Sequence, residues 1–138
     1  MKYLGIDYGT KRVGIATSDD SGRMAFPLCV LPNTKTLIDD IAALCAKERI
    51  QAIVVGDSRD NRNQANPIMS VVIPFSEELK HATGLPLSFM NEAFSSREAM
   101  HVQGDNAHND ASAAAIVLQS YLDRVNPSTF LDNDDEAL

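Results

Sequence analysis

Three carboxylates stand where regular elements begin or end. Asp7 closes the apolar run Tyr3-Leu4-Gly5-Ile6, Glu92 follows a second run that ends at Met90, and Asp110 opens a helical pattern just after Asn109. Hard oxygen donors with no His or Cys beside them suit Mg²⁺ or Mn²⁺ better than zinc. Two such ions about 4 Å apart serve phosphodiester hydrolysis, one activating a water and the other stabilising the leaving oxygen. Each acid also has an ordinary use: Asp7 as a turn cap, Glu92 as a solvated loop acid, Asp110 as a helix-start acid favoured by the dipole. His101 and His108 are the candidates for proton transfer, although a lone His in a short helix or loop equally serves structure.

Bringing three such groups together needs particular elements. Residues 2–19 read as a strand, a glycine turn at Gly9 and a returning strand through Val13-Gly14-Ile15-Ala16-Thr17. Alternation puts Leu4 and Ile6 on one face and Tyr3, Gly5 and Asp7 on the other. Gly5 and Gly14 leave the surroundings of the acid uncrowded. Residues 24–31 make a third strand, which Pro27 confines to a sheet edge. Leu37, Ile41, Leu44 and Cys45 recur at helical spacing over residues 34–47, with Asp39 and Asp40 early and Lys47 late, as the helix dipole prefers. The nearly continuous apolar run over residues 50–56 predicts a central parallel strand covered on both faces.

A polar loop is expected over residues 57–66, then a helix from about Pro67 to Ala82 with Pro74 inside its pattern, predicting a kink or a late start. Thr83-Gly84 ends that helix, and residues 85–90 form a fifth strand. Ser95 with Glu98 gives a capping-box pattern for a short helix, which Gly104 to His108 interrupts. In the last helix Ala114, Val117 and Tyr121 share a stripe with Asp110, and its alanines allow close approach to a sheet. If strand four lies beside strand one and strand five beyond it, their carboxyl ends share a rim, the usual ligand site of open α/β sheets.

With 138 residues, the chain is the size of one domain. Residues 1–125 are expected to form it, and residues 126–138, rich in Pro, Ser, Asn, Asp and Glu, an acidic flexible tail. No apolar run approaches a membrane span, and Met1-Lys2 leads straight into strand-like sequence without a secretory signal. Cys29 and Cys45, set among apolar neighbours, read as buried thiols of a reducing compartment, and hence of a cytoplasmic protein. The net charge of −7 argues against coating nucleic acid through bulk electrostatics. Four of the negative charges are Asp132, Asp134, Asp135 and Glu136, and without them the body carries −3.

The run Gly5-Ile6-Asp7-Tyr8-Gly9-Thr10-Lys11-Arg12-Val13-Gly14-Ile15-Ala16, followed by Ser18-Asp19, resembles the opening motif of the YqgF/RuvX family, described as Holliday-junction resolvases and as nucleases maturing ribosomal RNA precursors. The resemblance continues in Ala52-Ile53-Val54-Val55-Gly56, Thr83-Gly84-Leu85-Pro86, Asn91-Glu92 and Asp110-Ala111 through Leu122. It implies an RNase H-like α/β fold, a five-stranded mixed sheet flanked by helices, with strand two antiparallel to its neighbours. It also puts Asp7, Glu92 and Asp110 on the family's acidic positions, as catalytic residues and as ligands of Mg²⁺ or Mn²⁺.

Lys11, Arg12, Arg59 and Arg62, with Arg97, are the candidates for contacts to a nucleic-acid backbone, in a monomer or homodimer that does not engage membranes. Some positions depart from the family pattern. Asn91-Glu92-Ala93 stands where relatives show Asp-Glu-Arg, Gly56-Asp57-Ser58 where they show Gly-Leu-Pro, and residues 95–109 are shorter and less basic. These changes motivate a competing reading, a non-catalytic RNA- or protein-binding relative. A third reading takes Asp7-Tyr8-Gly9-Thr10 as the phosphate turn of sugar kinases and actin-like ATPases, which the absence of a second lobe disfavours.

Overall fold

The computed structural model describes residues 1–57, 69–91 and 109–126. The strands are β1 (Tyr3–Tyr8), β2 (Arg12–Ser18), β3 (Ala25–Pro32), β4 (Ala52–Asp57) and β5 (Leu87–Asn91), and the helices are α1 (Leu37–Glu48), α2 (Met69–Thr83) and α3 (Asn109–Val125). The strands form one sheet in the order β3-β2-β1-β4-β5. Strand β2 is antiparallel to β1 and β3, whereas β4 is parallel to both β1 and β5. This is the mixed five-stranded sheet expected from the sequence, with β1 at its centre and the proline-bearing β3 at an edge.

Each face of the sheet buries its own core. Leu4, Ile6, Val13, Ile15, Ile53 and Val55 pack with Leu37, Ile41 and Cys45 of α1 and with Val72, Phe75 and Leu79 of α2. On the opposite face Ala16, Val54 and Met90 pack with Ala114, Val117, Leu118 and Leu122 of α3. Residues 52–56 are therefore buried on both sides, which explains the unbroken apolar run of β4. Each buried Leu, Ile or Val contributes about 1.5–3 kcal/mol. Leu118→Ala, at a fully buried site facing the sheet, should cost about 2–5 kcal/mol.

Local chemistry sets where the elements stop. Helix α1 ends at Arg49, whose left-handed backbone (φ 58°) lets the Ile50 N–H donate to the Cys45 carbonyl at 2.9 Å and turns the chain into β4. Helix α2 ends before Gly84 (φ 69°), whose N–H donates to the Lys80 carbonyl at 2.8 Å. Pro74 lies inside α2, as the sequence pattern expects, and the expected start near Pro67 lies outside the described residues. Asp57 extends β4 by pairing with Asn91, so the strand runs one residue into what the sequence suggested was loop. That pairing with β5 is a tertiary contact that local polarity does not announce.

The loop beyond Asp57, the short helix opened by Ser95, the break at Gly104 to His108 and the tail from residue 127 lie outside the described residues. So do Arg59, Arg62, Glu92, Arg97, His101 and His108. Asn126 ends the last described segment, and its side-chain amide donates to the carbonyls of Gly22 at 3.0 Å and Leu122 at 2.9 Å.

Candidate active site

Asp7 lies near the carboxyl end of β1, on the face covered by α3. Tyr3, two pairs of residues earlier on that face, meets Tyr121 edge-on with ring centroids 5.9 Å apart. A Cβ on Gly5 would stand 2.7 Å from the Leu118 Cβ and 3.1 Å from the Ala114 carbonyl oxygen. Glycine at position 5 is thus what lets α3 lie directly on β1. The two contacts also give a direction, because moving along β1 from Tyr3 to Gly5 means moving back along α3 from Tyr121 toward Ala114.

One further step on each element is about 6–7 Å. Two strand residues lead from Gly5 to Asp7, and one helical turn leads from Ala114 back to Asp110. The backbone of the first turn of α3 therefore comes level with Asp7. Asp110 is the second residue of that helix, and Glu92 is the next residue after β5. Since β1, β4 and β5 are parallel, their carboxyl ends open on one rim.

Across the sheet, Asp7 sits in a row of small neighbours. Its partner on β2 is Gly14, and Gly14 is in turn opposite Val30 on β3. Extending the Ile6–Val55 register by one residue sets Asp7 beside Gly56, which pairs with Met90. The acid is thus flanked on both neighbouring strands by residues without a side chain. The sequence pointed to Gly14, but the part played by Gly56 depends on the β1–β4 register and has no local signal. Among the described residues no three His, Cys, Asp or Glu side chains stand together. Of the three predicted ligands, Asp7 is the one whose side chain is among those described, and it is half-buried.

The turn after Asp7 is rigidly built. A Cβ on Gly9 would collide with the Arg12 carbonyl oxygen, so only glycine fits there. Asn33, just beyond β3, donates its side-chain amide to the Gly9 carbonyl at 2.8 Å and its backbone N–H to the Lys11 carbonyl at 2.9 Å. Lys11 and Arg12 are exposed at this rim. The sequence signal for Asn33 is a polar side chain directly after an apolar edge strand, and its reach to Gly9 is a tertiary contact.

Asp19, the other acid of the opening motif, does different work at the opposite end of β2. Its carboxylate accepts the Ser21 hydroxyl at 2.6 Å and the N–H groups of Arg23 at 2.9 Å and Met24 at 3.1 Å. The Ser21 hydrogen bond, followed by those two backbone N–H groups, holds its pKa down to about 2. Both cysteines are free, Cys45 buried and Cys29 half-buried. Burial pushes the Cys45 thiol up to about 11, so it is an inert core group.

The sheet order, with an antiparallel second strand and helices on both faces, is that of the RNase H-like class. Solved structures share it: Thermus thermophilus RuvC in complex with a Holliday junction matches with a TM-score of 0.60 at 15% identity, covering 91% of this chain and 97% of that one. The fowlpox virus Holliday junction resolvase matches with a TM-score of 0.55 at 14% identity, covering 90% and 99%. At such identities the likeness concerns the fold.

The RuvX family model, described as Holliday junction resolvase, matches residues 1–124, and the chain belongs to that family. A relative from Nitratidesulfovibrio vulgaris, named "Putative pre-16S rRNA nuclease", is 39% identical over 132 residues, covering 88% of this chain and 93% of its own. One of the same name from Anaeromyxobacter is 36% identical over 134 residues, covering 89% and 97%.

Proposed function

We propose that this protein is a divalent-metal-dependent endonuclease that hydrolyses phosphodiester bonds in structured nucleic acid, either a ribosomal RNA precursor or a four-way DNA junction. The observation that carries the reading is the position of Asp7: at the carboxyl rim of the central strand, between two glycines, level with the first turn of α3. Membership of the RuvX family and the names of the relatives support it.

In this reading Asp7, Glu92 and Asp110 hold Mg²⁺ or Mn²⁺. The residues suit such ions, since all three supply hard oxygen donors and Asp7 has glycines beside it on both neighbouring strands. When bound, the ions activate a water and stabilise the leaving oxygen. The chain's own contribution is placement: β1 fixes Asp7, α3 carries Asp110, and β5 leads into Glu92. Lys11 and Arg12, with Arg59 and Arg62, contact phosphates of the bound strand. No described helix is long and apolar enough to cross a membrane, and the work belongs in the cytoplasm, where ribosomal precursors and replicating DNA occur.

The test is incubation of the pure protein with a labelled ribosomal RNA precursor and with a labelled four-way DNA junction, in Mn²⁺ or in EDTA. Cleavage of either substrate in Mn²⁺, lost in EDTA, is the expected result. A protein that cleaves neither and shows no Mn²⁺-dependent rise in Tm overturns the reading.

A further inference from the structure

On the face that carries Asp7, the sheet continues past Gly14 to its β3 edge, and this half of it has an unusual charge pattern. The chain holds 19 acidic residues against 12 basic ones, yet β2 and β3 contain no Asp or Glu, and Arg12 is their sole charged residue. Arg12 and Gly14 are two residues apart on β2, so they share the Asp7 face. Val30, directly opposite Gly14, shares it too, and there it is 39% exposed. Helix α3 leaves this corner uncovered, because it meets β3 at the other end: Gln119 accepts the Ala25 N–H at 2.9 Å and donates to the Arg23 carbonyl at 2.9 Å.

We propose, building on the nuclease reading, that the substrate strand leaves the Asp7 rim across β2 and β3, its backbone passing Arg12 and a sugar or base resting on Val30. A polyanion approaching a chain of net charge −7 is repelled wherever carboxylates cluster. The acid-free half of the sheet is where that repulsion is least, and Lys11 and Arg12 are exposed along its rim. Val30 lies two strand spacings, about 10 Å, from Asp7, near enough to touch the substrate and too far to touch the reacting phosphate.

A matched control lies on the same strand. The register shift between Ile15 and Ala16 leaves Leu28 as an extra residue in β3. Phe26 therefore pairs with Thr17 and faces the α1 and α2 side, where it is 49% exposed. Both side chains are exposed and apolar on one edge strand, but only Val30 is on the proposed path.

Binding of a fluorescent four-way DNA junction and of a fluorescent stem-loop RNA is measured by anisotropy in Ca²⁺ for the wild type and for Val30→Glu, Val30→Lys and Phe26→Glu. Thermal melts establish that each variant is folded. Val30→Glu should weaken binding of the preferred substrate about tenfold, whereas Phe26→Glu should stay within about twofold. Val30→Lys should tighten binding and steepen the dependence of log Kd on log salt by about 1. In cleavage assays Val30→Glu should raise KM and leave kcat nearly unchanged.

Equal effects of the two glutamates, or none from either, overturn the path while leaving the nuclease reading intact if the wild type cleaves. The opposite result, a clear contrast between Val30→Glu and Phe26→Glu in a wild type that never cleaves, supports the path and overturns the catalytic reading. Absence of wild-type binding to both probes overturns both.

Discussion

Two aspartates stand at opposite ends of the β1–β2 hairpin, Asp7 beside its turn and Asp19 just after β2, and their surroundings differ in kind. Asp7 faces glycine on β2 and the first turn of α3, while Asp19 is saturated by a hydroxyl and two backbone N–H groups. Asp7→Asn should abolish Mn²⁺-dependent cleavage and leave Tm unchanged or raised, because on the proposed reading it removes one of three carboxylates that would repel one another without metal. If Asp7 merely capped the turn, Asn would serve nearly as well, and both activity and Tm would barely move. Asp19→Ala should do the reverse, lowering Tm with cleavage at permissive temperature retained. Its pKa is lowered on folding, so its stabilising effect is complete above the ordinary value of 3.8 and is lost as pH falls through about 2. The Tm gap between wild type and Asp19→Ala should therefore be constant above about pH 4 and close toward pH 2, as melts across that range would show.

On the proposed reading helix α3 joins stability to activity, because it carries Asp110 and packs on β1 through a glycine. Gly5→Ala would put a methyl group 2.7 Å from the Leu118 Cβ, and the helix must lift to admit it. Overpacking of this kind costs about 1–3 kcal/mol. The same displacement moves Asp110 relative to Asp7, so Gly5→Ala should reduce cleavage even at temperatures where the variant is fully folded. Circular-dichroism melts combined with cleavage rates separate the two effects. A variant with lowered Tm and wild-type kcat would mean that the first turn of α3 does not need its present position.

Across the whole molecule the acidic tail is the dominant electrostatic feature. Truncation after Asn126 removes four of the 19 acids and no base, taking the net charge from −7 to −3. Asn126 itself should be kept, since its amide ties the end of α3 to the Gly22 carbonyl. The truncated protein should melt within about 5 °C of the full chain, which for this size corresponds to roughly 1 kcal/mol. It should also bind nucleic acid more tightly, with the gain shrinking as salt rises, because long-range repulsion is screened. A larger fall in Tm would mean that Phe130 and Leu131 dock onto the body.

Much of this was legible in the residues. Period-two alternation in β1 and β2, the doubly buried run of β4 and the 3.6-residue stripes of α1 and α3 are local consequences of which faces must be dry, so the sequence carries them directly. Pro27 marked the edge, and the spacing from Gly5 to Ala16 marked the family. Registers between distant segments are another matter. That Gly56 comes beside Asp7, that Asp57 continues β4, that Asn33 reaches back to Gly9 and that Val30 shares a face with Asp7 while Phe26 does not all depend on pairings between residues far apart in the chain. A one-residue slip in any of them moves a whole strand's side chains to the other face, and only the closed packing of α1, α2 and α3 against the sheet excludes such slips.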